Sequence, residues 1–233
     1  MTTKHQVAVL GLGRFGQAVA RELTRLGHEV LAIDMHEKVV QSIRDDVTQA
    51  VQADITDSEA LHDLGLGDFD TAIIAVTGSI EASILATALV NRLGVRRIVA
   101  KAANELHASI LEQVGATRVV FPERDTGLRV AHSFAAPGVL DYLDVAPGYG
   151  IARLHVSDTL IGKNLGESDL PATRALTVVA LNRRGKVKLN PKPDEVLQSG
   201  DEIIVAGLDE DLERLPEPVS GVTWGTRVGR NQV

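Results

Sequence analysis

Gly11, Gly13 and Gly16 form G-x-G-x-x-G within VLGLGRFGQAVARELTRLGHEVLAIDMHE, and Asp34 closes the next apolar run. The chemistry that suits this spacing is nucleotide binding. Gly11 permits a tight turn, Gly13 lets the backbone approach a pyrophosphate, and Gly16 allows a helix to lie close on its sheet. The phosphate then meets the N-terminus of that helix, where free N–H groups and the dipole favour an anion. Asp34 can accept hydrogen bonds from both ribose hydroxyls. Its carboxylate repels a 2′-phosphate, and Met35, His36 and Glu37 after it offer no arginine to hold one, which disfavours NADP. Arg14 lies inside the loop, as a charged fork over the phosphates of ATP, ADP or a dinucleotide, or as an exposed first-turn residue. Asp54, in the run ADIT, borders the adenine side of such a pocket or, like Asp57, caps a helix.

Hydride-transfer chemistry needs more than this. A dehydrogenase sets a general acid or base beside the nicotinamide and a pocket for its second substrate. Tyr142 and Tyr149 have no lysine four residues on. His5, His28, His36, His62, His107, His132 and His155 show no metal-ligand spacing and read as solvated or capping side chains. With no cysteine, thiol catalysis and thiolate-bound zinc are excluded. The residues therefore point to a protein that binds a nucleotide and breaks no bond in it. An NAD-dependent oxidoreductase is the alternative.

The elements that must position these residues follow from hydrophobic periodicity. The apolar runs 6–10, 29–34, 71–76, 97–101 and 118–122, with a weaker one at 49–54, alternate with helical patterns at about 37–46, 57–64, 79–93 and 104–114. Phe15, Ala18, Val19, Leu23 and Leu26 mark one face of a first helix. Strands apolar on both faces and separated by helices predict a doubly wound α/β fold, a Rossmann-like parallel sheet covered on both sides. After AAPG at 135–138 the texture changes. Strand-like runs at 150–156, 176–183, 186–190 and 201–207, joined by short turns, predict a small, mainly antiparallel α+β domain with one short helix near 163–169 and another at 209–215. The domains expected are 1–136 and 137–216, with a Gly- and Pro-rich mobile tail at 217–233.

The formal charge of −7 gives no basic face for nucleic acid. No apolar run approaches the roughly 18 to 20 residues of a membrane span, and MTTKHQ leads straight into a strand, so a cytoplasmic location is expected. Leu128, Val130, Ala131 and Phe134 make an apolar helix face, either a subunit interface or ordinary packing on the same domain.

From about 5 to 215 the chain resembles the RCK (regulator of potassium conductance) subunits of Ktr/Trk-type potassium transport systems, of the KTN/TrkA-like kind. The motifs that carry the resemblance are VLGLGRFGQAVARELTRLGHEVLAID, QADITD, AIIAVTGSIEASILATALVNRLGVRRIVAKA, HASILEQVGATRVVFPERDTGLRVA, LIGKNLGESDLP, VVALNRRGK and LQSGDEIIVAG. It implies a nucleotide-sensing gating subunit, not an enzyme. Gly11, Gly13, Arg14, Phe15 and Gly16 match the family's phosphate loop, Asp34 its ribose acid and Asp54 its adenosine-side acid. Met35, Ile55, Ala75, Val76, Thr77 and Lys101 complete the candidate pocket. One domain pair per chain resembles the Ktr type, which implies dimers assembled into a homo-octameric ring under a membrane-embedded potassium channel subunit, with ATP and ADP favoured over NAD and NADH. Glu123 matches an acid that helps bind a cation (Mg, Ca or Na) between subunits, or it is a helix-start acid complementing the dipole. Relatives that bind cyclic di-AMP use an Arg and an Asn where this chain aligns Pro171 and Thr177, with Arg174 nearby, which puts that ligand in doubt. A regulator of another transporter, such as an antiporter, or of a transcriptional protein, stays open beside the channel reading.

Overall fold

The computed structural model describes residues 4–76, 78–135, 138–168 and 176–212. Thr77, Pro171, Arg174 and the tail 217–233 lie outside the described residues, as does the end of the helix expected at 209–215.

The first unit runs to Glu123. It alternates β1 (Gln6–Leu10), α1 (Arg14–Arg25), β2 (Glu29–Asp34), α2 (Glu37–Ile43), β3 (Gln49–Gln52), α3 (Ser58–Asp63), β4 (Thr71–Ile74), α4 (Ile80–Arg92), β5 (Arg97–Lys101), α5 (Glu105–Gln113) and β6 (Arg118–Val120). The strands form one parallel sheet in the order β3-β2-β1-β4-β5-β6. Successive side chains of β1 point to opposite faces, so its unbroken apolar run serves two cores. Ala8 and Leu10 pack with Ile33, Ile74, Ile98 and Leu111 on one face, and Val7 and Val9 with Ala20, Val30 and Ile43 on the other. The order reverses between β1 and β4, and a doubly wound sheet opens a crevice at that point, outside the strands' C-terminal ends.

The second unit begins at Arg124, inside α6 (Pro122–Ala135). Most of that helix is thus grouped with the C-terminal part, whereas the sequence boundaries placed it in the first domain. Pro122 stands at its first position, where the missing N–H costs no helical hydrogen bond. Strands β7 (Val139–Ala146), β8 (Tyr149–His155), β9 (Thr177–Arg183), β10 (Lys186–Leu189) and β11 (Glu202–Leu208) form an antiparallel sheet in the order β10-β9-β11-β8-β7, followed by α7 (Asp209–Leu212). Two details correct the sequence reading. β7 was not anticipated, because Asp141 and Asp144 interrupt its apolar pattern and its pairing with β8 is irregular at both places. The short helix expected near 163–169 is, through 168, a set of turns. Its backbone pairs outward instead, with Leu165 N–H bonded to Glu195 O, Gly166 N–H to Pro193 O, and Leu197 N–H to Lys163 O, leaving those groups unavailable to a helix.

Candidate functional site

The turn after β1 is built as its glycines require. Gly11 has φ +92°, and a Cβ on it would lie 2.3 Å from Val76 Cγ2. A Cβ on Gly16 would lie 2.0 Å from Gly11 O, so this residue must be bare for α1 to seat against the turn. Gly13 differs, since a Cβ there meets nothing within 4 Å and would stand in open space. Of the other helices of this unit, α3, α4 and α5 carry side-chain caps, and α2 has none but holds Glu37 in its first turn. Asp57 accepts from Glu59 N–H and Ala60 N–H, Ser79 from Ala82 N–H, and Asn104 from His107 N–H. By contrast, α1 starts at Gly13 with no side-chain cap and no acid in its first turn. Its first N–H groups are left for an anion.

Two cavities meet at the crevice. One, about 500 Å³, is lined by Gly11, Gly13, Arg14, Phe15, Asp34, Ala75, Val76, Gly78, Lys101 and Glu123. The other, about 270 Å³ and mostly apolar, adds Met35, His36, Asp54, Ile55, Ser79 and Ala82. The parallel topology thus brings together every described pocket residue named from sequence except Gly16, which lies beneath the turn. His36, Gly78, Ser79 and Ala82 were not named. Gly78, Ser79 and Ala82 enter because β4 lies beside β1 across the switch point, a neighbour relation that periodicity does not encode. His36 was set aside among the scattered histidines.

Asp34 ties the crevice together. Its Oδ2 accepts the Leu12 N–H at 2.7 Å and its Oδ1 the His36 N–H at 2.9 Å, with His36 Nδ1 at 3.0 Å. Burial pushes this carboxyl up, but these hydrogen bonds outweigh it and hold the group below the usual aspartate range. It is therefore an anion that still has lone pairs for ribose hydroxyls. Asp54 turns the chain after β3, accepting both the N–H and the hydroxyl of Thr56, and Asp57 is the cap of α3. Arg14 is exposed, with no side-chain partner among the described residues. Lys101, only 8% exposed, pairs with Glu123, which is 73% exposed, and its ammonium lies 5.8 Å from the centre of the Phe15 ring. The bond from Lys101 holds the Glu123 carboxyl below its ordinary range.

Of the solvated and capping roles expected for the histidines, His107 takes the second. His107 is buried, not solvated; its Nδ1 accepts the Ala103 N–H while Asn104 accepts the His107 N–H, a reciprocal cap at the start of α5. Burial lowers its pKa, in keeping with a neutral ring that accepts at Nδ1. Among the described residues no three His, Asp or Glu side chains converge as a metal set.

The family model described as TrkA-N domain matches residues 7–122, and that described as TrkA-C domain matches 151–218. Ktr system potassium uptake protein A of Bacillus subtilis is 36% identical over 209 residues, 90% of this chain and 94% of its own. The chain belongs to the Ktr family of potassium-uptake regulatory proteins. Ktr system potassium uptake protein C of the same organism is 37% identical over 216 residues, covering 93% of this chain and 98% of its own. The Ktr protein A of Vibrio alginolyticus is 36% identical over 211 residues, covering 91% and 96%. Among solved structures, the GsuK channel bound to NAD superposes with a TM-score of 0.63 at 21% identity over 91% of this chain, which is 38% of that chain, a likeness of fold. Among the described residues of this Ktr-family chain, no helix is long and apolar enough to cross a membrane.

Proposed function

We propose that this chain is a nucleotide-sensing regulatory subunit that gates a membrane-embedded potassium channel subunit, and that it is not an enzyme. The observation that carries the reading is the crevice at the β1/β4 switch point, where the uncapped start of α1 and the ionised Asp34 face one pair of cavities. The ribose meets Asp34, the adenine enters the apolar cavity beside Ile55 and Val76, and the phosphates lie over Gly13 with Arg14 and Lys101 near them. ATP and ADP are the preferred ligands, NAD and NADH the alternative. A switch needs a ligand that binds two shapes unequally. An unpartnered Arg14 supplies this, because a γ-phosphate can recruit it where ADP cannot.

The homo-octameric ring of dimers implied by the family resemblance belongs to the same proposal, and the exposed Leu128, Val130 and Phe134 of α6 offer it an apolar subunit contact. It places the chain on the cytoplasmic face of the membrane. Glu123 offers a carboxylate to a cation shared between subunits, in competition with Lys101. Cyclic di-AMP binding in the second unit has weaker support, since Pro171 and Thr177 replace the expected donors.

The test is a calorimetric titration of nucleotide-free protein with ATP, ADP and NADH in magnesium, repeated on Asp34→Ala. Tight ATP and ADP binding that the substitution abolishes supports the reading. NADH binding tighter than both would move it to a redox sensor and reopen the oxidoreductase alternative.

A further inference from the structure

The ribose end of the proposed site carries a titratable dyad. His36 Nδ1 stands 3.0 Å from Asp34 Oδ1, and a carboxylate at that distance requires a proton on Nδ1. The ring is then either neutral with a bare Nε2 or an imidazolium. The Asp34 side chain is 13% exposed and that of His36 70%, so the ring is the part of the pair an incoming ligand reaches first.

Resting on the nucleotide reading above, we infer that His36 is a specificity residue whose protonation decides how strongly the site rejects adenosine nucleotides bearing a 2′-phosphate. In this sheet order an acid after β2 selects a ribose hydroxyl, and a nearby cation accommodates a 2′-phosphate. Here acid and conditional cation form one hydrogen-bonded pair. With Nε2 bare, the net charge at the ribose is that of Asp34, and a 2′-phosphate is repelled. With the ring protonated, the imidazolium offsets the carboxylate and presents Nε2–H to a phosphate oxygen. Asp54, from the turn after β3, lines the same cavity as the ring, Arg14 of α1 lines the adjoining one, and Glu37 and Lys38 follow His36 on α2. Among the described residues no lysine or arginine lines the cavity that holds His36, so the imidazolium would be its positive charge.

The experiment measures dissociation constants of the full chain for AMP and for adenosine 2′,5′-bisphosphate at pH 8 and pH 6, and reads their ratio. A phosphate monoester itself titrates near pH 6, so wild type is compared with His36→Asn, which keeps a donor near the Nδ1 position without a charge, and with His36→Arg, a permanent cation. In wild type the penalty for the 2′-phosphate should fall, from pH 8 to pH 6, roughly fivefold further than in His36→Asn, the size of one charge about 5 Å away in a watery site. In His36→Arg it should be small at both values. An equal fall in wild type and His36→Asn overturns the assignment, as does a bisphosphate that binds wild type at neither pH while AMP binds. Wild type that binds neither compound would instead overturn the nucleotide reading itself.

Discussion

Gly13 and Gly16 share one turn and lack side chains for opposite reasons, and their substitutions should separate accordingly. A methyl on Gly16 meets the Gly11 carbonyl, a backbone atom that cannot swing aside. Gly16→Ala is therefore expected to destabilise the first unit by about 3 kcal/mol, read as a lowered urea midpoint. A larger side chain on Gly13 enters empty space. Gly13→Val should leave the unfolding midpoint within about 0.5 kcal/mol of wild type while removing nucleotide binding in calorimetry. Retained ATP affinity in that variant would place the phosphates elsewhere. The end of β2 matters in the same local way, for Asp34 is held at both oxygens before any ligand arrives.

At the scale of elements, β9 and the start of β11 are clamped by a bidentate pair. Arg183 Nε and Nη2 bond Asp201 Oδ1 and Oδ2 at 2.9 and 2.7 Å, and Asp201 is only 1% exposed. The guanidinium also donates to Val196 O, tying in the segment that pairs with 163–166. Arg183→Met leaves a buried carboxylate with the Gln198 N–H as its remaining partner. A loss of about 3 kcal/mol or more follows for the second unit, measurable by denaturant unfolding. A loss under about 1 kcal/mol would mean that Asp201 takes up a proton or water instead. Among the helices of the first unit, α3, α4 and α5 carry side-chain caps and the uncapped α2 has Glu37 in its first turn, whereas α1, which faces the crevice, has neither a cap nor a first-turn acid.

Across the whole molecule the same carboxylates set an acid limit. For Asp34 and Asp201 burial pushes the pKa up, but hydrogen bonds to Asp34 and the Arg183 guanidinium at Asp201 overcome it, and both end below the ordinary value of about 3.9. A depressed folded-state pKa contributes stability that is complete above the unfolded value and is lost as pH falls through the folded one. Thermal midpoints should therefore begin to soften as pH falls through about 6.5, where the unfolded chain protonates His107 before the folded one does, and drop more steeply below about pH 4. Asp201→Asn should start lower and show a shallower acid limb. An acid limb equally steep in that variant would assign the effect to other carboxylates.

Much of this was legible in the residues themselves. The glycine spacing, the acid that ends β2 and the unbroken apolar runs fix a strand, turn and helix locally, because each depends on neighbours within a few residues. The parallel sheet follows from alternation, since a strand apolar on both faces must be covered twice. What only the tertiary structure decided was whatever depends on pairing between distant segments. Strand β7, with Asp141 and Asp144 in it, exists because β8 offers its backbone, and 163–168 is drawn out of a helix by hydrogen bonds to 193–197. Gly78, Ser79 and Ala82 join the site because β4 lies beside β1, and His36 becomes part of it because its ring folds back on Asp34. Local sequence determines which conformations are cheap, whereas partners far along the chain determine which polar groups are satisfied and which side chains share a cavity.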